Sequence, residues 1–539
     1  MPKMNSLRRI LFCLFLVFVA AATIGCKKIS TPVKVTASFS VDKTIGDSPF
    51  TVKFTNTSVN GTTYLWDFGD QKSSTEKDPV HTFSNPVSSG TNGFTINLTV
   101  TGPDRTTSVC KNSITVYPPA EQYGTPFQGV SSTSEMVMYE INIGAFSKSG
   151  NLDGITARLD SIKALGINTI WLMPIHPVGK VKSIGSPYCV MNYREVNPDY
   201  GTFSDLRNLV SKAHQKNLAV MMDWVGNHTS WDNVWMVNKS WYTQDASGNI
   251  ISPAGTNWTD VADLNYDNFE MRSSMISAMK FWVLSANIDG FRCDAADYIP
   301  FDFWKQSIDT LHNIKGRNLI LLAEGARSDH FTAGFQMNYA WDFLATIKNV
   351  FVNGSSAATI FTTNTSENTG LSGDQRKLRF TTNHDESNSS TPIQLFNGRQ
   401  GALAASVIAI NLQGVPLLYC GQEVGVANPL TYSTQKPIDW MQNPEMKSIY
   451  TQLLSVYSSS NALRKGSLEI YTHNDIAAFG KKYLNENILV LVNSRNKAVS
   501  FPVPAALVNT VWTNLMDNQS QYLTGTIPFQ PYQYLILKK

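Results

Sequence analysis

Gly290-Phe-Arg-Cys-Asp294 is a short apolar run that closes in an acid, with a cation two residues before it. On a β-strand, residues two apart share a face, so the run sets Arg292 and Asp294 side by side. The guanidinium is expected to keep that carboxylate ionised and its pKa low, a state that suits a nucleophile. Two further apolar runs end the same way, Asn318-Leu-Ile-Leu-Leu-Ala-Glu324 and Lys377-Leu-Arg-Phe-Thr-Thr-Asn-His-Asp385. Earlier, Leu218-Ala-Val-Met-Met-Asp-Trp-Val-Gly-Asn-His228 is an apolar strand closing in polar groups. One acid after a strand is most often a helix N-cap. The same layout recurring along the chain is that of a parallel barrel, whose active site gathers at the C-terminal ends of several strands.

Around this stretch, strand-like and helix-like patterns alternate, the mark of a parallel α/β sheet. Strands are expected at Met136–Ile143, Thr169–Ile175, Leu218–Val225, Gly290–Asp294, Leu319–Glu324, Gln336–Trp341, Leu378–Thr382 and Val415–Tyr419, enough for a (β/α)8 TIM barrel over residues 135–465. A polar stretch at about 229–262 holds Trp231, Trp235, Trp241 and Trp258 without clear periodicity and reads as a small excursion from the barrel. After Gly466 only strands are expected, from Leu468-Glu-Ile-Tyr471 to Tyr534-Leu-Ile-Leu537, so residues 466–539 form a C-terminal antiparallel β-domain.

The ordered set Asp223-Trp-Val-Gly-Asn-His228, Gly290-Phe-Arg-Cys-Asp294, Glu324 after its strand and Phe380-Thr-Thr-Asn-His-Asp385 resembles the signature of the α-amylase family of glycoside hydrolases, family thirteen. Gly166-Ile-Asn-Thr-Ile-Trp-Leu-Met-Pro174, Asp263-Leu-Asn265 and Gly414-Val-Pro-Leu-Leu-Tyr-Cys-Gly-Gln-Glu423 add to the resemblance, which runs from about Met136 to the C-terminus. It implies a retaining glycosidase with Asp294 as nucleophile, Glu324 as general acid and base, and Asp385 as stabiliser of the transition state. By the same resemblance Tyr188, His228, Arg292 and His384 line the substrate-binding position, and Asn227, Asp263 and the Tyr298 carbonyl are candidate ligands of a structural calcium ion.

Two departures from the family pattern stand out. Asn192 and Cys189 replace acids frequent at one rim, and Asp297-Tyr298 stands where many α-amylases carry Lys-His. The implied substrate is an α-glucan, and the short excursion is expected to leave an open groove that admits a polymer in mid-chain. The leading expectation is an endo-acting α-amylase on starch, glycogen or maltodextrins. A cyclomaltodextrinase or neopullulanase, an α-1,6-glucosidase and a glucanotransferase share the three carboxylates. A silent glycan-binding lipoprotein is the alternative from another class.

The remaining chain sets the context. A length of 539 residues with 42% hydrophobic and 16% charged residues is an ordinary multidomain globular composition. A net charge of +3 gives no reason to expect nucleic acid, and a monomer is expected. Lys3, Arg8 and Arg9 precede the apolar run Ile10 to Ala22, which is the form of a signal peptide over residues 1–25. Thr23-Ile-Gly-Cys26 resembles a bacterial lipoprotein cleavage site, implying lipidation of Cys26, a tether over 26–34 and export to the outer membrane, periplasm or cell surface. The other cysteines, 110, 189, 293 and 420, sit in or beside strand-like runs and are expected as buried free thiols. Short alternating segments over 35–118 suggest a β-sandwich. Its centre, Tyr64-Leu-Trp-Asp-Phe-Gly-Asp70 followed by Pro79-Val-His-Thr-Phe83, resembles the polycystic-kidney-disease (PKD) type immunoglobulin-like domain, with Trp66 and Phe68 expected in its core. A Pro, Gly and Ser-rich linker spans 119–134.

Overall fold

The computed structural model describes residues 34–85 and 92–539. The expected signal peptide, Cys26 and nearly all of the tether lie outside the described residues. The chain divides into two compact units at Tyr117 and Pro118.

The first unit packs two sheets face to face. One has the order Phe39–Val41, Phe50–Asn56, Val80–Phe83, and the other Ile45–Asp47, Thr107–Tyr117, Asn92–Thr101, Thr63–Asp67, Ser73–Ser74. Strand Phe50–Asn56 shows the cause: Phe50, Val52 and Phe54 are buried while Thr51, Lys53 and Thr55 are exposed, the period of two that gives a strand one apolar face. Trp66 has no exposed surface, packs edge-on against Phe39 at 5.0 Å and donates its Nε1–H to Glu76 O at 2.9 Å. Phe68 is likewise buried. Both aromatics are therefore core residues and neither offers a stacking surface to a sugar.

The second unit is built on a closed barrel of eight parallel strands. They are β1 (Met138–Ile141), β2 (Thr169–Leu172), β3 (Ala219–Val225), β4 (Gly290–Asp294), β5 (Ile320–Ala323), β6 (Met337–Tyr339), β7 (Arg376–Arg379) and β8 (Val415–Tyr419), each paired with the next, and β8 with β1. The barrel interior is filled by Met138, Trp171, Met221, Leu322, Tyr339 and Leu417 among others. Gly290 opens β4 because nothing larger fits: a Cβ there would lie 1.9 Å from Ile320 O on β5. Outside, helix Phe203–Gln215 starts at a capping box made by Thr202 and Asp205 and buries Leu206, Leu209, Val210 and Ala213, one face of a 3.6-residue period.

Strand β7 departs from expectation, running Arg376–Arg379 in place of Leu378–Thr382. Asn383 is the reason: its Oδ1 accepts from the N–H groups of Asp385 (3.1 Å) and Glu386 (2.9 Å), and this local turn turns the chain away from the sheet. His384 and Asp385 therefore sit on a loop beyond the strand. The excursion is held by an antiparallel ribbon of His228–Ser230 with Val261–Asp263. Trp235 and Trp241 pack on each other inside it, whereas Trp231 and Trp258 remain half-buried.

The strands after Ser467 form a six-stranded antiparallel sheet and a separate two-stranded ribbon. Lys481, 2% exposed, reaches from this sheet to donate to Leu412 O at the end of the helix Arg399–Asn411 (3.0 Å). Cys189, Cys293 and Cys420 are free and buried; Cys110, on the strand Thr107–Tyr117 of the first unit, is free but only partly covered. Among the described residues no helix is long and apolar enough to cross a membrane.

Candidate active site

The barrel strands share one pattern. Side chains facing inward are apolar near the strand start and polar at its end: Met138 then Glu140 on β1, Ala219 and Met221 then Asp223 on β3, Ile320 and Leu322 then Glu324 just past β5. On β4 the column is Gly290, Arg292, Asp294, so a cation lies level with the acid of β3 and with Leu322 of β5. Asp223 and Arg292 are register partners across β3 and β4.

Arg292 has no exposed surface and holds this level together. Its Nη1 donates to Asp294 Oδ1 (2.8 Å) and to Asp223 Oδ1 (2.9 Å), and its Nε donates to the Tyr339 hydroxyl (3.1 Å). Nη2 lies 2.7 Å from Glu324 Oε1, an ion pair whose angle is too bent for a hydrogen bond. One guanidinium thus serves three carboxylates, which offsets the cost of burying any of them alone. The other Glu324 oxygen, Oε2, accepts from Ala295 N–H at 2.7 Å. Ala295 directly follows Asp294 and takes a left-handed conformation (φ 46°, ψ 39°), the kind of local strain that a functional site holds in place.

The expectation of a low pKa for Asp294 is wrong. Burial raises its carboxyl well above the usual range; Arg292 pulls it back down, and Glu324, Asp223 and Asp385 push it up again. The cation is divided among several acids, so its pull on Asp294 does not outweigh burial.

The two site histidines differ in charge. His228, 5% exposed and beside Asn227, is pulled down to about 4 by burial and is neutral. For His384 burial also pulls down, but Asp385 and then Glu140 outweigh it and raise it to about 9. Its Nδ1 donates to Glu140 Oε1 at 2.5 Å, and its Nε2 lies 2.8 Å from the Tyr188 hydroxyl and 3.3 Å from Asp385 Oδ2. Tyr188 stacks on the imidazolium at 5.2 Å and donates to Asp223 Oδ2 at 3.0 Å. The Asp385 side chain is 48% exposed, at the mouth. The structure thus brings Tyr188, Arg292, Asp294, Glu324, His384 and Asp385 into one connected cluster. His228 joins it from the β3 side, its ring 5.5 Å from Trp258.

The calcium candidates divide. Leu264 N–H donates to Asn227 O at 3.2 Å and Asp263 is the register partner of His228, so Asn227 and Asp263 are neighbours. Asp263 is pushed up by burial, with only Thr243 bonding to lower it, and among the described residues no basic side chain pairs with it. These two oxygen donors suit a hard cation. Tyr298 is 54% exposed with its ring against Trp258 at 5.5 Å, and leaves only its carbonyl as a donor. Among the described residues no cluster of three or more His, Cys, Asp or Glu is poised to bind a metal. At the rim, Asn192 and Cys189 turn inward, Asn192 Oδ1 accepting from Arg194 N–H and the Cys189 thiol donating to Asp260 O.

The profile of the α-amylase catalytic domain matches residues 94–249 and 255–484, well over half of the chain. The chain belongs to the α-amylase family. The PKD domain profile matches residues 30–116. Alpha-amylase 3 of Dictyoglomus thermophilum is 31% identical over 357 residues, covering 58% of this chain and 68% of that protein. A cyclomaltodextrinase of Thermoanaerobacter pseudethanolicus is 26% identical, over 65% of this chain and 64% of that one. The crystal structure of a maltogenic α-amylase from Thermotoga neapolitana superposes with a TM-score of 0.69 at 25% identity, covering 76% of this chain and 99% of the other. This α-amylase-family chain is a glycosidase acting on glucans.

Some members of the site carry no family signal that would single them out by number. Glu140 is a lone acid inside the apolar run Met138-Tyr-Glu-Ile141, and an acid buried there needs a partner, which is a signal in itself. Asp223 lies inside a recognised motif, yet its role in dividing Arg292 is visible only in three dimensions. Tyr339, on β6, shows nothing in sequence to set it apart from core aromatics.

Proposed function

We propose that the protein is a retaining, endo-acting α-amylase that cleaves internal α-1,4 bonds of starch, glycogen or maltodextrins. The observation that carries this reading is the single Arg292 guanidinium spanning Asp294 and Glu324 at the open end of the barrel, with His384 and Asp385 alongside. Arg292 occupies Asp294 Oδ1, which leaves Oδ2 to attack the anomeric carbon. As the bond from that carbon to the glycosidic oxygen breaks, Glu324 gives its proton to the departing oxygen. Glu324 then takes a proton from water, whose oxygen attacks the same carbon and displaces Asp294, so the α-configuration is kept. The imidazolium of His384 and the neutral ring of His228 donate to sugar hydroxyls, and Tyr188 stacks on the ring of the cleaved residue.

A cleft of about 960 Å³ is lined by Tyr200, Tyr432 and Pro187, the chain neighbour of Tyr188, among others. That volume is at the upper end for ligand sites, and a glucan chain running past Pro187 would find room there. The second reading is an exo-acting or cyclodextrin-directed enzyme, favoured by the relationship to a cyclomaltodextrinase and by Trp258 and Tyr298 closing in beside His228. Incubation with amylose, pullulan and cyclodextrin separates the two. Endo action predicts a fast fall in starch-iodine colour before short products accumulate; maltose or glucose released from the start in step with total reducing ends supports the second reading instead.

Two further expectations belong to this proposal. Asn227 and Asp263 would hold a structural calcium ion bracing the excursion, in which case a chelator lowers the melting temperature and added calcium restores it. Cys26 would anchor the exported protein to a membrane, in which case Cys26→Ser moves it to the soluble fraction.

A further inference from the structure

We propose that Asp297, which replaces the lysine common at its position in this family, is a positioning residue for the general acid. Its carboxylate turns away from the sugar side and accepts from two successive backbone N–H groups of the loop after β5, Ala326 (3.1 Å, to Oδ2) and Arg327 (3.3 Å, to Oδ1). The guanidinium of Arg327 answers from the other direction, its Nη1 donating to Asp297 O (2.8 Å) and Ile299 O (3.1 Å) on the loop after β4. Asp329 holds the far side of that guanidinium with a two-pronged pair (3.0 and 2.6 Å). His330 Nε2 lies 3.4 Å from the same Asp297 carboxylate.

Glu324 sits inside this clamp. Ala296 N–H donates to Glu324 O at 3.0 Å and Ala295 N–H to Glu324 Oε2 at 2.7 Å, so both the backbone and the carboxyl of the acid are fixed by the loop that Asp297 anchors. Gly325, the next residue, has φ 155° and is pressed against Asp297: a Cβ there would lie 2.3 Å from Asp297 Oδ1. The loops after β4 and β5 are thus laced from both sides. Asp297 touches none of the groups that meet substrate; it acts through the placement of Glu324. A lysine at 297 would present N–H groups to N–H groups and could not make this lacing.

The inference rests on Glu324 being the acid, and the test separates the two claims. The values of kcat/KM are measured on maltoheptaose, whose leaving group needs a proton, and on 2-chloro-4-nitrophenyl maltotrioside, whose leaving group does not. Asp297→Asn should lose about 10²-fold on maltoheptaose, the scale of a misplaced catalytic group, and about 3-fold or less on the activated substrate. Arg327→Met, which removes the other half of the lacing, should show the same split and gives a second reading should Asp297→Asn not fold. Glu324→Ala should split in the same sense and more strongly. Equal losses on both substrates for Asp297→Asn and Arg327→Met, with Glu324→Ala still split, would make the clamp merely structural and overturn the proposal. No loss on either substrate would also overturn it. A Glu324→Ala variant without a split would overturn the assignment of the acid, and the inference with it.

Discussion

Glu140→Gln isolates what the buried acid of β1 does for His384. The two site histidines provide the internal scale. Both are buried, but among the described residues no carboxylate pairs with His228, which lies at about 4, whereas Asp385 and Glu140 raise His384 to about 9 against burial and Arg292, a gap of about 5 units. Glu140 is fully buried at 2.5 Å and Asp385 is half exposed at 3.3 Å, so Glu140 should account for at least about two of those units. His384 is raised above its ordinary value of 6.5, so its contribution to stability is fully present below pH 6.5 and is lost as the pH rises through 9. A shift of that size corresponds to about 3 kcal/mol. Glu140 works against part of this, because burial raises its own carboxyl despite His384 and Arg292, and its Oε2 has no hydrogen-bond partner. The pair's net contribution is therefore smaller, about 1 to 2 kcal/mol at pH 7. Urea denaturation at pH 6, 7.5 and 9.5 and the pH profile of kcat/KM measure both. The wild type should hold its activity to near pH 9, and Glu140→Gln should lose it about two units lower. Superimposable alkaline limbs would refute the reasoning.

Arg292→Met leaves Asp223, Asp294 and Glu324 without their shared cation and should destabilise the protein by about 3 to 5 kcal/mol at pH 7, less in acid where the carboxylates take up protons; denaturant midpoints at pH 5 and 8 check this. Asp294→Asn should abolish turnover with the melting temperature unchanged or raised, because it removes a nucleophile and one of several crowded acids; near-normal activity would exclude Asp294. Lys481→Met should stabilise. Burial pulls this lysine down to about 8, so it costs stability below pH 8, a cost that fades between 8 and its unfolded value near 10.5. Replacing it removes about 3 kcal/mol of that penalty and forfeits one hydrogen bond worth about 1 kcal/mol, a gain read as a higher melting temperature at pH 7 that disappears near pH 10.

The barrel was legible because most of its strands are buried apolar runs, several of which end in polar residues, so the run and its closing acid report strand and site together. Strand β4 follows its expected bounds residue for residue. Strand β7 does not, because the decisive force there is a side chain, Asn383, bonding the backbone two and three residues ahead, which hydrophobic pattern does not register. The pKa of Asp294 was misjudged for a related reason: pairing with Arg292 is local and readable, but Asp223 lies 71 residues earlier in the chain and claims the same guanidinium. In the sequence Asp297 shows only as the absence of a lysine. Its partners are the N–H groups of Ala326 and Arg327, and backbone groups carry no identity in a sequence.

The most direct test of the central claim is the anomeric form of the first product, followed by proton NMR in the first minutes of maltooligosaccharide hydrolysis. Attack by Asp294 followed by water activated at Glu324 predicts that the α-anomer appears first and mutarotates to the equilibrium mixture. Initial release of the β-anomer would mean a single displacement by water, and Asp294 could not then be the nucleophile.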